Sequence, residues 1–268
     1  MEIQWSLVLF TALTGLGGCL FFFVGLDSLL GKAGKGALKG ALASLVLLIV
    51  GGLASVTHLP HPDRMLGALQ HPTSGIFTEA VLIGLLSLTC IVYLVMKKRE
   101  VEGTSLKIVA AIGMVLGILM SFMAGQSYIM PAISAWNTEL LPLGYFGTAL
   151  AEGASAYLLL VGLEKCEEGA RFYGAILGAS GVVALLASVF YGAVSGAFSA
   201  AAAFPFAVAA LALAGIVPAC CGFAVWKKPA LAVSLGTLAL IASFAGAIAY
   251  RCGMWVLGEG LYNFFGML

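Results

Sequence analysis

The chain has 268 residues, 62% of them hydrophobic and 9% charged, with a formal net charge of +1 and a mean hydropathy of +1.09. Soluble domains carry about 25% charged residues, so the composition excludes an ordinary water-soluble enzyme, and the near-zero net charge leaves no basic field for nucleic acid. The charge that is present is patterned. Of thirteen Lys and Arg residues, all but Arg64 and Arg251 fall in four clusters, Lys32/Lys35/Lys39, Lys97/Lys98/Arg99/Lys107, Lys165/Arg171 and Lys227/Lys228.

Between the clusters lie apolar stretches of the roughly 20 residues that a bilayer core requires of a helix. The chain starts Met1-Glu2-Ile3-Gln4, acidic where a cleavable signal would be basic, and the apolar run that follows is too long for one. Trp5–Leu30 is therefore read as span 1, with Asp27 near its inner end. Span 2 is Ala41–His58, followed by a connection rich in proline and holding His61 and His71. Span 3 is Ile76–Val95, with Glu79 about one turn inside its outer end. Span 4 is Ile108–Met130, and span 5, Leu143–Leu163, carries Glu152 near its middle. Phe172–Val194, Phe204–Trp226 and Ala230–Leu257 are spans 6 to 8. Pro218 sits well inside span 7, and Arg251 lies near the outer end of span 8. The runs lack the apolar/polar alternation of a barrel strand, so they are helices.

The basic clusters follow spans 1, 3, 5 and 7. Cytoplasmic loops carry the Lys/Arg excess, so the expected fold is an all-α integral membrane protein. It is a bundle of eight transmembrane helices forming a single domain over residues 1–268, with the N and C termini outside. A four-plus-four repeat fits the helix number, but the two halves show no convincing similarity in sequence.

The cysteines (Cys19, Cys90, Cys166, Cys220, Cys221 and Cys252) form no C-x-x-C and no Cys/His cluster, so no metal site is expected and they read as small packing residues. Haem held within a bundle takes axial ligands from facing helices, whereas His58, His61 and His71 all belong to one helix end and the connection after it, so no haem is expected. Tyr128, Trp136, Tyr145 and Trp255 cluster near the outer boundary and read as an aromatic belt.

Ionisable groups at membrane depth are expensive and point to function. His58, Arg64, Glu79 and Arg251 come from distant parts of the sequence and fall at one depth on one side. The segment around three of them runs His58-Leu59-Pro60-His61-Pro62-Asp63-Arg64, then Leu69, Ser74 and Glu79. It resembles the membrane anchor subunit of the bacterial dimethyl sulfoxide reductase family, whose members have a similar length and eight spans. They carry His-Leu-x-x-Pro-x-Arg and then Leu at the end of span 2, followed by Ser and a glutamate opening span 3. Arg251 looks like the arginine that family carries near the end of span 8, whereas His61 and His71 depart from its pattern.

The resemblance implies a quinol-oxidising anchor in the bacterial cytoplasmic (inner) membrane. It would pass electrons from menaquinol or another quinol to a four-cluster iron–sulfur subunit and on to a molybdopterin catalytic subunit, with the clusters and molybdopterin held only by those partners. Neutral imidazole at His58 can accept a hydroxyl proton near neutral pH, and a partly buried carboxylate at Glu79 can take or relay another. An arginine can hold the carboxylate or a quinone oxygen in place without deprotonating, so Arg64 and Arg251 would orient these groups or dock the partner subunit. Glu152 and Asp27 either continue a proton route across the membrane or are hydrogen-bonded within the bundle. A proton-coupled small-molecule transporter using Glu152, Asp27 and Glu79 is the alternative, weakened by the position of most prolines at span ends or in loops.

Overall fold

The computed structural model describes residues 2–32, 36–57 and 73–258. Among them are eight helices long and apolar enough to cross a membrane and no strand. They are α1 (Trp5–Leu30), α2 (Gly36–Val56), α3 (Gly75–Lys98), α4 (Thr104–Gln126), α5 (Leu140–Leu163), α6 (Glu167–Ser195), α7 (Phe204–Lys227) and α8 (Ala232–Leu257). Apart from α1, the helices differ from the sequence reading by a few residues at one or both ends. α6 starts at Glu167-Glu168, two acids placed where a helix N-terminus favours negative charge. α1 stops where Gly31 adopts a left-handed conformation and its N–H bonds the Asp27 carbonyl at 2.6 Å. α4 ends at Gln126 rather than Met130, and residues 127–139 form a turn-rich cover over one end of the bundle.

Because successive helices alternate in direction, the Lys/Arg clusters gather at one end, here the basic face; the other end is the terminal face. Lys32 pairs with Glu168 at 2.8 Å and Lys39 with Glu164 at 2.6 Å, one joining the 1–2 connection to the start of α6 and the other the start of α2 to the 5–6 connection. Exposed pairs of this kind contribute little stability.

The helices form two groups of four with matching internal contacts. α1 packs on α2 and α4 as α5 packs on α6 and α8, and the groups meet where α1 lies against α5. The four-plus-four repeat that the sequence leaves undecided is therefore present as an arrangement of helices. α1 and α5 are the central pair, with 78% and 72% of their spans buried, against 22% for α3.

One turn of α1 makes this possible. Lipid gives no hydrophobic drive to helix association, so close backbone contact through small residues supplies it. A Cβ on Gly17 would lie 3.1 Å from the Ser44 carbonyl of α2, and one on Gly18 would lie 2.9 Å from the Gly117 carbonyl of α4. A Cβ on Gly153 of α5 would lie 2.5 Å from the Cys19 backbone. Ser44 adds a hydrogen bond to the Gly17 carbonyl at 2.5 Å.

α7 is continuous but widens to a π-helix over Leu211–Ile216, directly before Pro218. Proline has no N–H and its ring presses on the carbonyl four residues back, here Ala214, and the wider turn absorbs both effects.

The close approach of α1 and α4 yields a direct test. Gly117→Val would drive a side chain into the Gly18 carbonyl and should cost about 1–3 kcal/mol, whereas Gly84→Val enters open space on α3. Thermal unfolding of the purified chain in detergent should show a large drop for the first and almost none for the second; equal losses would refute the contact.

Candidate functional site

Glu79 is positioned by the start of α3. Ser74 is the N-cap, its Oγ accepting the Phe77 N–H at 3.2 Å. One turn further in, Glu79 opens the stripe of residues that α3 buries: Glu79, Leu82, Leu86, Cys90 and Tyr93. The spacing is helical, so Glu79 points into the bundle with the apolar face and is only 8% exposed. It faces the Ser127 hydroxyl at the end of α4, where Gly75 lets the two helices approach.

Arg251 is 1% exposed and comes from the last turns of α8. It is not an interfacial side chain reaching for water. Its Nε donates to the Thr11 hydroxyl at 2.9 Å, and one terminal nitrogen donates to the Thr11 carbonyl at 3.1 Å. The other terminal nitrogen donates to the Ala247 carbonyl at 2.9 Å and the Thr148 hydroxyl at 3.4 Å. The guanidinium carbon lies 4.5 Å from the centre of the Tyr145 ring, a cation–π contact. One cation thus joins α1, α5 and α8.

Depth along the spans suggests Glu79 as the partner of Arg251, but no ion pair joins them. Arg251 is held by neutral hydroxyls and carbonyls instead, because Thr11 and Thr148 meet it at the junction of the two four-helix groups. The two charges do share neighbours: Tyr128 and Tyr145 each lie within electrostatic reach of both.

The aromatic residues read as a belt are an internal cluster. Trp136, Tyr145 and Trp255 are buried, and Tyr128 is half-buried. Tyr128 contacts Trp136, Tyr145 and Trp255 at ring-centre distances of 5.9, 5.8 and 5.8 Å. Trp136 Nε1 donates to the Met254 carbonyl at 2.8 Å, and the Tyr191 hydroxyl to the Ala135 carbonyl at 3.2 Å, pinning the 127–139 cover onto α8 and α6. Hydropathy carries no direction, so in the sequence rings that pack inward look the same as rings that face lipid.

His58 and Arg64, with His61 and His71, lie outside the described residues. α2 ends at Val56 and the chain re-enters the described part at Thr73, one residue before the cap of α3. Thr57 and Thr73, the described residues that flank that connection, lie at the terminal face. Thr11, Thr148 and Ser127 are neighbours that sequence reasoning passed over, and Tyr128 and Tyr145 were read only as belt residues. Two threonines in otherwise apolar runs, one turn or more from any loop, were the available signal.

No group of three or more His, Cys, Asp or Glu residues able to hold a metal occurs among the described residues. Cys220 is exposed and Cys221 buried, as adjacent residues on a helix should be.

The family described as DMSO reductase anchor subunit (DmsC) matches residues 1–266 of this protein. The protein is also 28% identical, over 164 residues, to the C subunit of the anaerobic dimethyl sulfoxide reductase of Haemophilus influenzae. That stretch covers 58% of each of the two proteins, so the match spans little more than half the length of the relative. Matched by the family over nearly its whole length and built of eight membrane-spanning helices, this protein belongs to the DMSO reductase anchor subunit family and is a multi-pass membrane anchor.

Proposed function

We propose that the protein oxidises a membrane quinol, menaquinol or a related quinol, at the terminal face and passes the electrons to an iron–sulfur partner with four clusters. That partner feeds a molybdopterin catalytic subunit. The basic face is cytoplasmic in this reading, which sets both termini outside, in a bacterial inner membrane. The observation that carries it is Glu79: a carboxyl side chain turned into the bundle one turn inside the start of α3, a few residues after the connection that holds His58 in the sequence.

Oxidation of a quinol releases two electrons and two protons. His58 accepts a proton from one hydroxyl as a neutral imidazole, and Glu79 accepts the other. Arg64 lies in the same connection and orients the quinone. Arg251 is a positioning residue: its donors are spent on Thr11, Thr148 and Ala247, and it holds the Tyr145 ring that borders the site. The electrons leave to the partner, which supplies the redox centres.

His58→Ala and Glu79→Gln should each slow quinol oxidation by about 10²–10⁴-fold while the complex still assembles. Wild-type turnover in both, measured with a soluble quinol analogue, would refute the site. Arg251→Lys keeps the charge but cannot reproduce a planar fork that bonds three helices. It should lower quinol turnover and thermal stability together, and Thr11→Val should add little further loss in the Arg251→Lys background. Strictly additive losses would show that the two side chains act separately. Cross-linking should join the iron–sulfur partner to the terminal face, and adducts formed instead through Lys97–Lys107 would reverse the assigned sidedness.

A further inference from the structure

Glu152 is absent from the chemistry above. It lies near the midpoint of α5 and is fully buried, and neither carboxyl oxygen has a hydrogen-bond partner among the described residues. An ionised carboxylate in that position is far more costly than the neutral acid, and an orphaned carboxyl has no packing advantage over an apolar residue of its size. Its surroundings are polar on both sides along the axis. One turn toward the terminal face, about 6 Å along the helix, is Thr148, bonded to Arg251. Arg251 is within electrostatic reach of Glu152. Close by, Cys19 of α1 and Ser121 of α4 share a contact of 3.2 Å.

Toward the basic face the seam continues through Ser155, fully buried, to Tyr157, about 7.5 Å along the axis from Glu152. The Tyr157 hydroxyl is directed at Asp27. Asp27 is 2% exposed and accepts from the Tyr173 hydroxyl at 3.1 Å, and next to it Ser28 and Tyr93 share a hydrogen bond of 2.6 Å. α1, α3, α5 and α6 thus converge on a nest of hydroxyls around one acid.

We propose that Glu152 is the mid-membrane carrier of a proton path along the α1–α5 seam, from the Arg251 nest to Asp27, and that one proton of each quinol leaves by it toward the basic face. This rests on the quinol-oxidising reading above. Both electrons go to the iron–sulfur partner, one proton leaves at the terminal face, and one passes inward, so no other oxidant or base is needed. The guanidinium keeps its own proton; it stabilises the carboxylate formed briefly at Glu152, while the Thr11 and Thr148 hydroxyls supply exchangeable protons.

The test uses the whole complex in sealed vesicles with a pH-sensitive dye in the lumen. A membrane-impermeant electron acceptor is added outside, so only complexes with their reductase side outward turn over. Wild type should acidify the lumen during quinol oxidation. Glu152→Gln, which keeps shape and loses the proton site, should continue electron transfer with the luminal signal reduced at least tenfold, and Asp27→Asn should behave alike. No luminal proton from wild type, or an unchanged yield in Glu152→Gln, would overturn the path. If the complex oxidises no quinol, the reading of its function fails, and an imposed pH step then decides the path alone: equal rates of luminal equilibration in wild type and Glu152→Gln would overturn it.

Discussion

Everything at the terminal face depends on burying one cation. Arg251 is shielded from water at membrane depth, and no carboxylate among the described residues pairs with it, so the surrounding helices must satisfy its donors. Thr11, Thr148 and Ala247 do so from three different helices. That requirement fixes the rotation of α1, α5 and α8 about their own axes. It also aligns the two four-helix groups with each other. Tyr145 is trapped against the guanidinium, and the aromatic cluster is built outward from that ring.

The close crossing at Gly17–Cys19 of α1 lets the threonines reach. A Cβ on Gly15 would lie 3.1 Å from the Ala149 Cβ and one on Gly153 2.5 Å from the Cys19 backbone, so an alanine at Gly153 would push α1 and α5 apart, enough to lengthen a hydrogen bond past usefulness. Small-residue packing and the buried cation therefore support each other. The first brings α1 and α5 within range, and the second needs that range to be satisfied.

The polar residues of this bundle are distributed by depth. Glu79 and Arg251 lie near the terminal face, Glu152 lies halfway, and Asp27 with its tyrosines lies near the basic face. All of them sit on or next to the central pair α1 and α5, or at the end of the buried stripe of α3, and the outer surfaces of α2, α3, α4 and α6 are left to lipid.

Length, hydropathy and the position of thirteen cations were enough to determine eight helices, their order and the face that gathers the positive charge, because bilayer thickness and backbone hydrogen bonding leave few other solutions. The motif from His58 to Glu79 was enough to indicate the family, since it lies within one continuous stretch. The sequence could not show which way a side chain points around a helix in a protein that is apolar on every face. Its helices lack the polar stripe that reveals orientation in soluble proteins. Only the packing decided that Tyr128, Tyr145 and Trp255 turn inward, that Arg251 binds threonines rather than Glu79, and that Glu152 has no donor among the described residues. The Arg251 bonds to the two threonines and the Tyr128–Trp255 contact join residues more than a hundred positions apart, set by where glycines allow backbones to meet.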